Sequence, residues 1–404
     1  MKLDVKKTFL LGLGFFAVSL VWPLYNVYVP IFLRDFIDSQ FKINAIMTLD
    51  NILAVFMIPF IASMSDRTQT KFGRRMPYLM IGIPLSALAF VLLPNYTGFW
   101  SLILIITVLN FSMTIFRAPT VALMPDITPP ALRSRANGII NFMGGLAAVF
   151  VLMGGSVLYK QNKNYPFIMT AVLMVAALLL LLKFIKEPKV GVATDEKPVK
   201  VLDSIRFIRR DPDKTTAYIL LAIFFWFVGY QGLEATFSNY CVQLLKLEAS
   251  DASFILSFFA LAFLISAIPS GYIGSAIGKR KAIIIGLIGD VLVFVAIGTL
   301  GTIFPFNKLI MMGLMLIGGF FWAMININSY PMVVERTTEE HVGTYTGLYY
   351  FASSLAAITG PLLVGAFVDL LGFQVTLPVT AASYFVAFLL IIKTKKNQNA
   401  LNEA

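Results

Sequence analysis

Histidine and cysteine are almost missing from this chain: His341 and Cys241 are the single representatives of each. One cysteine excludes a disulfide framework, and a lone histidine makes a histidine-based metal site a poor expectation. Charge is scarce as well. Only 13% of the 404 residues are charged, against about a quarter in soluble proteins. No GxxxxGK[ST] loop occurs, so no nucleotide-driven machinery is expected. What is present in excess is apolar: 58% of residues, including 36 Phe and 17 Met. Such a balance cannot be hidden inside a globule, so the bilayer is the expected solvent for most of the chain. The run from Thr8 to about Leu33 is too long for the hydrophobic region of a typical cleavable signal.

Apolar runs of about 20 residues predict an all-α membrane protein of twelve transmembrane helices. They lie near 8–33, 43–64, 78–94, 99–124, 136–159, 165–183, 216–240, 251–274, 282–300, 308–332, 343–367 and 374–392. The net charge of +11 invites a nucleic-acid reading, but the placement of the 32 Lys and Arg argues against one. With the N-terminus inside, the outer loops hold only Arg34, Lys42, Lys160, Lys163, Lys246 and Lys308. Arg117 sits within a span, and the rest crowd the inner loops and tails. That asymmetry predicts both termini on the cytoplasmic side, with the lipid bilayer rather than nucleic acid as the partner of the excess charge.

The one long polar stretch follows the sixth span, so the chain is expected to divide into a six-helix bundle at 1–185, a cytoplasmic linker at 186–215 and a second bundle at 216–404. Residues 202–210 of the linker have the pattern of a short amphipathic surface helix, and the tail from Lys393 is expected to be disordered. The halves repeat one another. Asp126 ends the fourth span and Gly138 opens the next; Glu335 and Gly347 stand at the same spacing after the tenth. The inner loop Ser65-Asp66-Arg67-Thr68-Gln69-Thr70-Lys71-Phe72-Gly73-Arg74-Arg75-Met76-Pro77 has a shorter counterpart in Gly274-Ser275-Ala276-Ile277-Gly278-Lys279-Arg280-Lys281. Asp66 can pair with a following Arg while Gly73 permits a tight turn, which predicts a latch at the inner face. The gating set expected from these motifs is Asp66, Gly73, Arg74, Arg75, Asp126, Arg135 and Glu335. Plain anchoring by positive charge is the competing reading.

The loop motif resembles the signature of the major facilitator superfamily, in the longer form found in sugar–cation symporters. Arg117-Ala118-Pro119-Thr120-Val121-Ala122-Leu123-Met124-Pro125-Asp126-Ile127-Thr128, followed by Arg133-Ser134-Arg135-Ala136-Asn137-Gly138, looks like bacterial members of the sucrose-transporter-like, glycoside–pentoside–hexuronide-like branch. Trp22-Pro23-Leu24-Tyr25-Asn26-Val27-Tyr28-Val29-Pro30 and Gly232-Leu233-Glu234-Ala235-Thr236-Phe237 are similar to the same branch. The resemblance implies two pseudo-symmetric six-helix bundles and a cavity lined by spans 1, 4, 7 and 10. The plant sucrose carriers have an acid where Asn110 stands. Ala54 and Ile58 occupy the positions of the sodium-binding acids of melibiose-type carriers. A proton is therefore the expected co-substrate, sodium is the less favoured one, and no cofactor or metal is expected.

Ionisable groups inside spans need a reason, because each is costly there. Arg117 shares a helical face with Asn110 and Thr114. Its fork of donors suits sugar hydroxyls or a neighbouring carboxylate; a structural ion pair with Asp126 is the alternative. Glu234 lies among Trp226, Tyr230 and Phe237, where a carboxyl can exchange a proton with its surroundings. Asp50 is a further proton or cation site, or an interfacial acid. Asp290 has no polar neighbour one turn away, and its role stays open. The expected substrate-binding set is Trp22, Tyr25, Asn26, Asn110, Thr114, Arg117, Tyr230, Glu234, Trp322, Asn326 and Asn328, with Glu234, Asp50 and Arg117 in coupling. Aromatic platforms plus Asn, Arg and Glu match the C–H faces and hydroxyls of a sugar; core packing is the competing reading for any single aromatic.

These features predict a secondary transporter, not an enzyme. It would import a glycoside, with a disaccharide expected, by proton symport and alternating access. It would sit as a monomer in the plasma membrane of a bacterium. An exporter of amphiphilic compounds and an uncoupled sugar uniporter are the alternatives, and a membrane enzyme or sensor the remote one.

Overall fold

The computed structural model describes residues 4–129, 132–187, 214–337 and 342–394. The expected surface helix at 202–210, the tail beyond Thr394 and His341 lie outside the described residues. Among the described residues there are twelve helices long and apolar enough to cross a membrane: α1 Val5–Arg34, α2 Gln40–Arg67, α3 Met76–Asn95, α4 Phe99–Ile127, α5 Arg135–Gln161, α6 Tyr165–Phe184, α7 Thr215–Leu244, α8 Ala249–Ile277, α9 Lys279–Thr299, α10 Lys308–Val334, α11 Val342–Leu371 and α12 Phe373–Ile392. A helix satisfies its backbone polar groups internally, which is what hydrocarbon demands of a spanning segment. The expected spans fall within these helices, except that Leu300 lies one residue past α9, in an isolated bridge to Phe304.

Two compact units are present. One comprises Met1–Asp38, Ile46–Asp195 and Glu248–Ser257; the other comprises Ser39–Ala45, Glu196–Leu247 and Phe258–Ala404. In the first, α1 packs on α5 and α6, α3 packs on α4 and α6, and α2 packs on α4. In the second, α7 packs on α11 and α12, and α9 packs on α10 and α12. The second set repeats four of the first set's five pairings with each helix advanced by six, which is the structural form of the sequence repeat. Some of the boundaries of the units fall inside helices. The chain interrupts α2 at Thr48, between Gln40–Met47 and Leu49–Arg67, and its first residues pack in the second unit. The start of α8 packs in the first unit, where Ser253 Oγ donates to the Leu152 carbonyl at 2.9 Å.

Close helix contact depends on glycine at a few positions. A Cβ on Gly360 of α11 would stand 2.5 Å from the Val228 carbonyl oxygen of α7. One on Gly319 of α10 would collide with the Phe259 carbonyl of α8. Large apolar side chains such as Phe56, Trp100, Leu104, Ile268, Leu309 and Leu370 are exposed, as expected of faces solvated by lipid.

Candidate functional site

The first unit gathers most of its expected site residues into one cluster. Tyr25 of α1 is fully buried and accepts a hydrogen bond from Asn110 Nδ2 of α4 at 3.2 Å. Thr114 Oγ1 turns back to the Asn110 carbonyl at 2.8 Å. Trp22 meets Tyr25 edge-on, with ring centroids 5.6 Å apart. The Arg117 guanidinium carbon stands 5.9 Å from the Trp22 ring centre. Positions 110, 114 and 117 lie one turn apart along α4, which is why a single face carries all three. Asp50, hydrogen-bonded by Asn51 Nδ2 at 2.9 Å, acts electrostatically on both Tyr25 and Arg117. Arg117 keeps accessible surface. Among the described residues no carboxylate lies within ion-pair distance of it; Asp126 is engaged elsewhere.

Two polar atoms in this cluster are left open. Trp22 Nε1 and Asn110 Oδ1 are buried, and no described residue hydrogen-bonds to either. One is a donor and the other an acceptor, next to a guanidinium with further donors. A hydroxylated solute satisfies all three kinds of group. Asn26 is half-buried on the same helix as Trp22.

The second unit holds an aromatic cluster. Tyr230 of α7 stacks on Trp322 of α10, with centroids 4.3 Å apart and planes 2° apart. Phe227 and Tyr384 meet Trp322 edge-on at 5.6 and 6.1 Å. Glu234, one turn beyond Tyr230, is half-buried and acts electrostatically on it. Asn326 follows Trp322 by one turn and is half-buried. Asn328 does not join this group. Its amide donates to the Met324 carbonyl at 2.9 Å and to the Ser270 carbonyl of α8 at 3.1 Å, so it fastens two helices and has no donor to spare for a substrate. Expecting it beside Asn326 ignored the helical turn: six residues from Trp322 is about 240° round the helix.

The expected latch residues form a charge network in the first unit. Arg74 donates to both oxygens of Asp126, at 3.2 and 2.5 Å, and Arg75 Nε donates to Asp126 Oδ2 at 2.9 Å. Arg75 also bonds Asp66 and Ser65. Burial works against the charge on Arg75, yet its bonds to Asp126 and Asp66 outweigh that and push its pKa above the ordinary value. Gly73 adopts φ +107°, a conformation L residues rarely take, and Glu187 fills the space beside it.

Glu187 was missed from sequence. Its carboxylate accepts from the backbone N–H of Arg75 at 3.0 and 2.9 Å and of Met76 at 3.3 Å, so it caps the start of α3. The available signal was an acid just before Pro188 at the inner end of the sixth span. In the second unit Lys279 pairs with Glu335, while Arg280 donates to the Ile392 carbonyl and to Thr394 Oγ1, both at 2.9 Å. Arg135 is exposed and gains no ion-pair partner among the described residues. Its neighbour Arg133 instead donates to the Pro125 and Thr128 carbonyls at the end of α4, at 2.9 and 3.2 Å. The inner-face bonds expected of Arg135 are thus made by Arg133.

A polar cluster at the start of α2 was also unforeseen. Asp369 accepts from Ser39 Oγ and Gln40 N, both at 2.6 Å, and from Phe41 N at 3.2 Å. Asn44 Nδ2 donates to Thr236 Oγ1 and to the Pro361 carbonyl, at 2.9 and 2.7 Å, and Asn239 Nδ2 donates to Gln40 Oε1 at 3.0 Å.

A family model described as Major Facilitator Superfamily matches residues 11–303 and 243–403. The isoprimeverose transporter of Lactiplantibacillus pentosus is 25% identical over 302 residues; the match covers 69% of this chain and 60% of that protein, less than two thirds of its length. The class C tetracycline resistance protein of Escherichia coli is 25% identical over 359 residues, covering 87% of this chain and 85% of that protein. The crystal structure of nucleoside transporter NupG has a TM-score of 0.78 at 15% identity, covering 96% of this chain and 99% of that one. Twelve spanning helices, two repeated units and a family model running almost end to end lead to one statement: this chain belongs to the Major Facilitator Superfamily, as a multi-pass secondary transporter of small molecules and not an enzyme.

Proposed function

We propose that the chain carries a glycoside, a disaccharide in particular, into a bacterial cell across the plasma membrane by proton symport, as a member of the sucrose-transporter-like branch. The observation that supports this most directly is the cluster in the first unit: an accessible Arg117 over Trp22, with Trp22 Nε1 and Asn110 Oδ1 unsatisfied beside it. Guanidinium, indole N–H and amide carbonyl together recognise vicinal hydroxyls, while the indole face accepts a sugar C–H surface. The Tyr230–Trp322 stack is an aromatic platform within the second unit, and Glu234 and Asp50 are our candidates for the coupled proton. A relative named as an isoprimeverose transporter favours a sugar cargo. The carrier works as a monomer with both termini in the cytoplasm.

Uptake of labelled isoprimeverose into proteoliposomes under an imposed proton gradient tests the reading. The expected result is accumulation that a protonophore abolishes and that Arg117→Ala reduces at least tenfold. Sugar uptake that reaches only equilibration and is unaffected by the protonophore leaves an uncoupled carrier. The tetracycline resistance relatives support a second reading, a proton-driven exporter of amphiphilic compounds. Efflux of tetracycline from the same vesicles, with no sugar flux, would establish it in place of the first.

A further inference from the structure

Asp290 belongs to neither the latch nor the solute cluster, and it sits at mid-helix in α9. It has no exposed surface, and no described residue hydrogen-bonds to either carboxyl oxygen. Its neighbours explain the isolation. α9 packs against α10 and α12. From α10, Phe321 and Ile325 close over Gly289 and Gly286 on the same stretch, and both are apolar. From α12, the ring of Tyr384 lies 5.3 Å from Phe294, which follows Asp290 by one turn on the same face. On α12, Tyr384 is the titratable group on which Asp290 acts electrostatically. Lys279, Arg280 and Lys281 are the cations of α9 itself, and they lie more than two turns away at its start. The Tyr384 hydroxyl is likewise buried and without a hydrogen-bond partner among the described residues.

An ionised carboxylate without a donor or counter-charge is far more costly in such a place than the neutral acid. The neutral acid carries one O–H, and that bond is where a proton is held. We propose that Asp290 is a proton-binding site of the second unit, with the Tyr384 hydroxyl as the donor that takes over when the proton leaves. Tyr384 is well placed to pass that change on. Its ring fills the notch beside Gly229 and meets Trp322 edge-on at 6.1 Å, and Trp322 carries the stack with Tyr230. Loss of the proton turns the hydroxyl toward Asp290 and draws the ring against the aromatic platform. This site is distinct from Glu234 and does not depend on which solute the carrier moves.

Infrared spectroscopy of the purified full-length protein in lipid nanodiscs tests it without a substrate. The wild type at neutral pH is expected to show the C=O band of a protonated carboxyl that disappears in Asp290→Asn and persists in Glu234→Gln. Tyr384→Phe is expected to keep the band and to raise the pH at which it is lost, because the hydroxyl that would donate to the carboxylate has gone. An Asp290→Asn spectrum identical to wild type in this region overturns the proton site. A Tyr384→Phe titration identical to wild type overturns the role of the tyrosine, and this variant stays informative if Asp290→Asn does not fold.

Discussion

A single carboxylate holds two arginines at the inner face of the first unit. Asp126 accepts from both Arg74 and Arg75, and Arg75 is only 4% exposed. Removing one partner from a buried pair leaves an uncompensated charge, a change that costs about 3–5 kcal/mol where burial is complete. Asp66 remains as a second acceptor for Arg75, so Asp126→Asn is expected to destabilise by about 2–3 kcal/mol, read as a fall in the thermal unfolding midpoint of detergent-solubilised protein. The two loop glycines give a sharper comparison. Gly73 and Gly278 both have positive φ, at 107° and 90°. A Cβ at Gly278 meets nothing within 4 Å, whereas one at Gly73 runs into Glu187. Gly278→Ala is expected to cost about 1–2 kcal/mol of backbone strain. Gly73→Ala adds the displacement of the α3 cap and should lower the unfolding midpoint clearly more; equal effects would remove Glu187 from the account. Asp66, Arg74 and Arg75 were legible because their motif is local and charged, and Asp126 because its spacing to Gly138 recurs in the second half. Glu187 was not, because a cap supplied from more than a hundred residues away leaves no trace in local spacing.

Helices were the most legible elements. A bilayer requires long apolar runs, so composition alone locates the spans, and positional errors stay at their ends. Faces were harder. On α4 the pattern of Asn110, Thr114 and Arg117 predicted a shared face and the structure has it, while on α10 Asn328 was assigned to the face of Trp322 and Asn326 although its turn angle carries it toward α8. The least legible element was the start of α2. Its backbone N–H groups at Gln40 and Phe41 are capped by Asp369 of α11, a contact between residues remote in sequence. A charged acceptor at a helix N-terminus contributes about 1 kcal/mol. Asp369→Ala is therefore expected to raise amide hydrogen exchange several-fold at Gln40 and Phe41 while leaving α4 unchanged. Unaltered exchange there would mean that the Asn44 and Asn239 bonds hold the segment by themselves.

Across the whole molecule, the same device is built twice with unequal strength. In each unit a basic loop after the second or eighth span meets an acid at the end of the fourth or tenth: Arg74 and Arg75 with Asp126, and Lys279 with Glu335. The first version is largely buried and has several partners. In the second, the Lys279 and Glu335 side chains are 24% and 47% exposed, and exposed pairs contribute only about 0–1 kcal/mol. The repeat itself was visible in the matching acid-to-glycine spacing, but this inequality was not, because burial depends on how neighbouring helices cover each loop. If both networks gate transport, they should respond differently to charge reversal. Lys279→Glu or Glu335→Lys should leave the unfolding midpoint nearly unchanged and alter the rate of solute exchange in proteoliposomes, and the double reversal should restore that rate. Arg75→Glu should lower the midpoint as well as the rate, and Asp126→Arg should not rescue it, since Asp126 also serves Arg74 and Arg75 also serves Asp66. Full rescue in the first unit would reduce its network to a simple pair; failure of rescue in the second would show that Lys279 and Glu335 act through other partners.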